Sequence, residues 1–481
     1  MKNTTAMADY ELRHIEALRK NLADCTVLLK KDGSFPLESP CTLATYGSGV
    51  RRTIRGGTGS GEVNSRYSVT IEKGLQQAGF TLTGMEWHTG YEQAREKAHK
   101  AFLKQLKKDA KAAKQNFILY GMGKVMPEPE YDLPLNAEGD AAIYVVSRIS
   151  GEGNDRTPLK GDIRLTDSEV RDILALDKKF TRFMLVLNVG GVVDLSPVMG
   201  VRNILLLSQL GVETGSALAD ILLGKANPSG KLTTTWAAFE EYPEMPDFED
   251  MNETRYREGI YVGYRYFDTF RKQALFPFGY GLSYTEFRLG AAEVEANGAQ
   301  ITVRTAVENI GVLAGRQVVQ VYLSKPADKL DQPRQELCAF AKTRELTPGE
   351  TETVTCTFTL PEMAAYDAET ASYILEAGDY LVRVGVSSAE TAPAAVLHLD
   401  KTVTTLQAKN VLGNTDFTDL TAPAATMEHP AGVPVIEIDP AAIVCETIDY
   451  ARTEEVLPEV DALTKEDASL LLIGAFDPNA K

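Results

Sequence analysis

The chain has 481 residues, 44% of them hydrophobic and 24% charged, with 67 acidic residues against 50 basic ones. At roughly 100–200 residues per domain this is enough for two to four domains with cores of their own, and the apolar fraction excludes general disorder. A net charge of −17 argues against nucleic acid or an anionic membrane surface as the main partner, since both need a basic face.

The first twenty residues, MKNTTAMADYELRHIEALRK, contain no apolar h-region of a secretory signal. No later stretch reaches the ~18 apolar residues of a membrane span. Residues 9–24 predict an amphipathic helix, with Leu12, Ile15 and Leu18 at helical spacing. CTVLLKKDGSFPL (25–37) then reads as a short strand, a Lys-Asp-Gly turn and an extended exit at Phe35-Pro36. From there to about residue 235, apolar runs alternate with helical segments. The strands are expected at TLATYG (42–47), NFILYG (116–121), AIYVVSR (142–148), FMLVLNV (183–189) and NILLLS (203–208). The helices are expected near 68–78, 90–113, 167–178 and 212–223, the third opened by a Thr166/Glu169 capping box. Strands apolar on both faces between helices predict an α/β fold, a mostly parallel sheet sandwiched by helices.

Around 240–285 the texture changes. EEYPEMPDFED is acidic and broken by proline, and it is followed by YREGIYVGYRYFDTF (256–270) and FPFGYGLSYTEF (276–287), dense in Tyr, Phe and Gly. Such a mixture either lines a cleft, with Tyr264 or Tyr266 stacking on a ligand, or packs one domain against the next. From 286 to 405, runs such as AQITVRTAVENI, RQVVQVYLSK and ETVTCTFTL alternate with period two between turn signals, which predicts an all-β sandwich of the immunoglobulin or fibronectin type III kind. Residues 406–455, rich in Ala, Pro and Thr, read as an extended linker, and LTKEDASLLLIG begins a further short helix. The expected domains are therefore 1–285, 286–405 and 406–481. No internal repeat of ~20–50 residues is present.

Five cysteines (Cys25, Cys41, Cys338, Cys356, Cys445), odd in number and widely spaced, give neither a zinc pattern nor a disulfide framework, and a reducing cytoplasm is the simplest compartment. Five histidines without HExxH, and no GxSxG elbow, leave no basis for a histidine-bound metal, a cofactor or a serine hydrolase. Two loops carry the chemical signals. SRISGEGNDR (147–156) follows an expected strand, where open parallel sheets gather ligands, and glycines on both sides of Glu152 let its carboxyl approach a partner surface closely. Arg148, Asp155 and Arg156 add charges that hold the loop or tune the carboxyl, and with Arg66 they are the candidate substrate contacts. The competing reading makes Glu152 an ordinary solvated loop residue. YGSGVRRTIRGGTGSGEVNSR (46–66) is Gly-rich, but it lacks the Walker lysine and the dinucleotide glycine spacing, which disfavours a nucleotide cradle; it reads as a loop offering backbone N–H groups and arginines to hydroxyls or carboxylates, or as a purely structural pair of turns. GVETGSALADILLGKANPSGKLTTTW (211–236) reads as scaffold.

Taken in order, TVLLKKDGSFPL, SRISGEGNDR, GVETGSALADILLGKANPSGKLTTTW, YREGIYVGYRYF and FPFGYGLSYTEF resemble the α/β-sandwich domain of glycoside hydrolase family 3, the β-glucosidase type. The β segment that follows is similar to that family's fibronectin type III-like domain, and the likeness covers about residues 10–405. The resemblance implies a retaining β-glycosidase acting on terminal β-linked sugars, with Glu152 as the general acid/base of a GEGxDR-like loop. The family's nucleophile is an aspartate on a (β/α)8 barrel. The order of segments here resembles members in which the α/β domain leads, so the barrel and its aspartate are expected outside these residues, as another domain or chain, and activity of this chain alone is not expected. The alternative is a non-catalytic carbohydrate-binding or regulatory module derived from the family. A carbohydrate is the expected small-molecule partner. Homo-oligomerisation is compatible with the sequence.

Overall fold

The structure, a computed structural model, describes residues 7–121, 124–152, 156–244, 252–411, 413–422, 430–448 and 457–473. After helix α1 (Asp9–Asn21), strands β1 (Val27–Lys30) and β2 (Thr42–Tyr46) are followed by α2 (Ile71–Gln77), β3 (Thr81–Thr83) and the long α3 (Met85–Ala112). A short α4 (Phe117–Gly121) precedes β4 (Ala141–Arg148), α5 (Asp167–Lys179), β5 (Phe183–Val189), β6 (Ile204–Leu206) and α6 (Thr214–Leu222). The six strands form one sheet in the order β1-β6-β5-β4-β2-β3. All neighbours run parallel except β1, which is antiparallel to β6.

Alternation along each strand explains the two-sided apolar runs. Tyr46, Tyr144, Val146, Leu185 and Leu187 face Trp87 and Tyr91 of α3 and Ile173 and Leu176 of α5. Leu43, Ile143, Val145, Met184 and Val186 face Leu75 of α2 and Leu218 and Ile221 of α6. Both faces are thus covered by helices, as a parallel sheet requires. The expected capping box forms: Thr166 Oγ1 accepts from the Glu169 amide at 3.0 Å, and Glu169 Oε2 accepts from the Thr166 amide at 2.9 Å.

One strand expectation is corrected. NFILYG forms α4, with Ile118 72% and Leu119 67% exposed. The positions on either side of β2 belong to β3 and β4, and α4 lies outside the sheet.

Beyond residue 286 two sheets, antiparallel except for one parallel edge pair, pack face to face, with a smaller third sheet beside them. One has the order Glu336–Lys342, Val318–Ser324, Gly378–Ser387, Glu390–Leu399, Val435–Ile438. The other pairs Thr351–Thr359, Gln300–Asn309 and Phe287–Leu289, with Glu293–Asn297 also on Gln300–Asn309. Val303, Val321, Phe358, Val382 and Leu397 fill the space between them. Part of the stretch read as linker, among its described residues, joins the sandwich. Val435–Ile438 adds parallel to Glu390–Leu399 and buries Ile438 in the sandwich core, because alternation over four residues is enough to join an existing edge.

The sandwich is fastened to the α/β domain at several points. The Asp24 carboxylate accepts from Lys342 Nζ at 2.7 Å, Arg316 Nη1 at 3.1 Å and Ser229 Oγ at 2.6 Å. Gln320 Nε2 donates to the Gly279 carbonyl at 2.9 Å. The aromatic stretches serve this seam. Tyr264 stacks on Phe278 at 4.5 Å and its hydroxyl accepts from the Leu337 amide at 2.8 Å, while Tyr266 is buried beside Phe267 and Phe270. Residues near 420 return to cover this cluster, the Leu420 amide donating to the Arg257 carbonyl at 2.6 Å.

Candidate active site

The parallel strands change direction of propagation between β2 and β4. β3 lies on one side of β2, and the chain then crosses to place β4 on the other. Crevices outside the carboxyl ends of two such strands are where α/β sheets bind ligands. The loops leaving those ends are 47–66 and 149–166, which contain both of the segments singled out from the sequence. Gly47 starts the first loop at φ +88°, and a methyl group there would lie 2.4 Å from the Val145 carbonyl oxygen, so only glycine lets the chain turn across β4.

The two loops touch. A methyl on Gly151 would lie 2.1 Å from the Thr58 amide nitrogen, and one on Gly59 would lie 2.9 Å from Glu152 Oε2. Glu152 is exposed, and its carboxyl lies over the backbone of the Gly-rich loop. Gly153, Asn154 and Asp155 lie outside the described residues, so the Asp155 reading is not addressed structurally.

Arg156 ties the arms of the acid loop together. Its Nε pairs with the Asp162 carboxylate, its Nη1 donates to Ser150 Oγ at 3.3 Å, and its Nη2 donates to the Val192 carbonyl at 3.4 Å. Asp162 also accepts from the Thr157 amide at 2.6 Å and the Thr157 hydroxyl at 2.9 Å. These bonds make Arg156 a brace of the loop, and its expected contact with substrate stays a proposal.

The expectation for Arg148 meets its burial. It is only 5% exposed, and it donates to Glu169 Oε2 at 2.6 Å, the Ser147 carbonyl at 2.9 Å and the Asp162 carbonyl at 3.0 Å. Burial pulls its pKa down, but the charge and hydrogen bond of Glu169 outweigh that and leave it raised. It anchors the base of the loop from within the core and cannot reach a ligand. Arg66 is exposed and pairs with Glu11 of α1, which ties the end of the Gly-rich loop to that helix, and its expected contact with substrate stays a proposal.

Beneath the Gly-rich loop lies a cleft of about 730 Å³ whose lining includes Arg51, Arg55, Tyr91, Arg95 and Glu128. Sequence reasoning missed Tyr91, Arg95 and Glu128. Glu128 sits in a Pro-Glu-Pro stretch with no periodic signal, and only the fold brings it under α3. Its carboxyl accepts from the Tyr91 hydroxyl. Burial and the nearby Glu169 charge push its pKa up to about 7, against the opposing pull of Arg148. Glu152 does not line this cleft.

Residues 26–284 match the model of the glycosyl hydrolase family 3 C-terminal domain, and residues 317–388 match that of a fibronectin type III-like domain. The chain is similar to beta-glucosidase A of Butyrivibrio fibrisolvens, at 34% identity over 79% of this chain and 50% of the relative. It is also similar to a beta-glucosidase of Ruminococcus albus, at 32% identity over 82% and 42%. Among solved structures, beta-glucosidase 3B of Thermotoga neapolitana in complex with alpha-D-glucose superposes with a TM-score of 0.68 at 34% identity, covering 83% of this chain and 55% of that one. The chain thus spans about half the length of the curated relatives it matches.

Proposed function

The chain belongs to glycosyl hydrolase family 3, and from that premise we propose that it is the acid/base and accessory part of a retaining β-glycosidase acting on terminal β-linked sugars. Its relatives are named beta-glucosidases, and a β-glucoside or related carbohydrate is the proposed substrate. Glu152 donates the proton to the departing glycosidic oxygen and later removes one from water. The attacking aspartate comes from a (β/α)8 barrel outside these residues.

The observation that carries this reading is the seating of Glu152. It rides on a loop braced by Arg156, backed by Arg148 and pressed onto the Gly-rich loop at the switch point of the sheet. Retaining chemistry needs two carboxyl groups about 5–5.5 Å apart, one attacking the anomeric carbon and one protonating the leaving oxygen. An exposed carboxyl on a rigid base meets the first requirement for pairing with a second surface. Docking that surface would strip water from Glu152, and desolvation together with the facing carboxylate would raise its pKa toward the range a general acid needs.

The test is turnover of aryl β-glucosides with the barrel supplied as a second polypeptide. Glu152→Ala is expected to cost about 100-fold or more on a substrate with a poor leaving group. It should cost far less on a dinitrophenyl glucoside, and added azide should restore turnover as glycosyl azide. Equal losses on both substrates, or no loss, would remove Glu152 from the role.

A further inference from the structure

The cleft under the Gly-rich loop holds chemistry that proton donation by Glu152 leaves unused. Its volume of about 730 Å³ falls within the roughly 300–1,000 Å³ of small-molecule pockets. Arg51 is already engaged, its Nε bonded to Glu72 at 3.1 Å and its Nη2 on Met85 Sδ at 3.2 Å. Arg52, exposed at the rim, sits 3.8 Å from Glu92. Arg55 and Arg95, both part-buried, have no carboxylate within ion-pair distance among the described residues.

That is costly in a chain of net charge −17, where guanidinium groups such as Arg19, Arg148 and Arg202 find acids. Arg95 lies near enough to Glu128 for its charge to pull that carboxyl's pKa down, so its counter-charge is partial, while Arg55 forms no ion pair among the described residues; a part-buried cation short of counter-charge loses hydration for little in return. Ser48 Oγ adds a second unmet group: Ser48 is 7% exposed and lines the cleft, and although the Tyr91 hydroxyl is near, its oxygen is in hydrogen-bond geometry with no partner. The acids of the lining are Glu62, at the exposed rim, and Glu128, whose carboxyl is held by the Tyr91 hydroxyl. Leu18, Ile54 and Val212 supply apolar wall.

We infer that this cleft is a second ligand site, for a small organic oxyanion: a carboxylate or phosphate joined to an apolar or ring-shaped body, its charge held by Arg55 and Arg95 and one oxygen accepting from Ser48. The inference does not depend on glycosidase activity, because binding alone is measured and Glu152 is outside the cleft.

The test is calorimetric titration of the full chain at neutral pH and low salt with phenyl phosphate, benzoate, inorganic phosphate and benzyl alcohol. At least one of the two aromatic anions should saturate a single site, about tenfold or more tighter than both the neutral alcohol and inorganic phosphate. Which aromatic anion binds identifies the headgroup as phosphoryl or carboxylate. Arg55→Gln/Arg95→Gln should weaken that binding by about tenfold or more, while Arg13→Gln, an exposed arginine on α1, should leave it unchanged. If the double variant fails to fold by circular dichroism, the two single variants, each expected to bind several-fold more weakly, decide in its place. The site is overturned if neither aromatic anion saturates the wild type, if inorganic phosphate binds as tightly, or if folded arginine variants bind as the wild type does.

Discussion

Replacing Arg148 by methionine removes one member of a fully buried pair and leaves the other. The two side chains are 4% and 1% exposed and 2.6 Å apart. In Arg148→Met, Glu169 keeps the Thr166 amide as a partner but faces the core with its charge uncompensated. The Ser147 and Asp162 carbonyls lose a donor as well. Breaking a buried pair in this way costs about 3–5 kcal/mol, whereas replacing both partners by apolar groups is often close to neutral. Arg148→Met should therefore lose about 3–5 kcal/mol, and Arg148→Met/Glu169→Leu should recover a large part of it, less the helix-capping contribution of about 1 kcal/mol. Both tryptophans of the chain, Trp87 and Trp236, are buried in the α/β core, so their fluorescence during urea unfolding reports this domain. The midpoint should fall without a change in slope. A loss below about 1 kcal/mol in the single variant, or a double variant as unstable as the sum of the singles, would refute the view of Arg148 as a core anchor.

Three further outcomes follow from the same region. Arg156→Ala removes the brace between Ser150 and Asp162, so amide hydrogen exchange across 149–152 should quicken while the sheet strands keep their protection; unchanged exchange would deny the brace. Glu128 is raised from 4.5 to about 7 by burial and Glu169. Its contribution to stability is fully present below the unfolded value and lost as pH rises through about 7. Glu128→Gln should accordingly flatten the decline in stability between pH 5 and pH 8 by about 1–3 kcal/mol, read from urea midpoints at both pH values; a decline as steep as in the wild type would count against the burial. Gly151→Ala would place a methyl 2.1 Å from backbone nitrogen and should destabilise by about 1–3 kcal/mol, and an unchanged melting temperature would show that the two loops part without penalty.

The parallel strands were legible because burial on both faces writes itself as continuous apolar sequence, and the α5 start was legible because its cap is local. NFILYG was not, since a short apolar run has the same composition in a strand and in a helix, and only the occupancy of the sheet decides. The three-residue β3 and the parallel strand at Val435–Ile438 are too short to show a period, and each exists because a neighbour was already in place. Around the site, the glycines flanking Glu152 announced a close approach, but not what was approached; the contact with Thr58 and Gly59 joins segments about ninety residues apart. Arg148 read as a loop charge because its partner, Glu169, lies on the next helix, 21 residues on. Glu128 carried no local signal at all.

The fastening of the sandwich through Asp24, Gln320 and the Arg257–Leu420 bridge makes the molecule behave as a splinted joint rather than as beads on a string. A protease that nicked the chain between residues 289 and 293, after Phe287–Leu289, would leave the fragments clasped, migrating as one particle. Twisting at the seam is resisted at attachment points drawn from distant parts of the chain. The floor beneath Glu152 therefore inherits stiffness from a domain that, among the described residues, contributes no side chain to it.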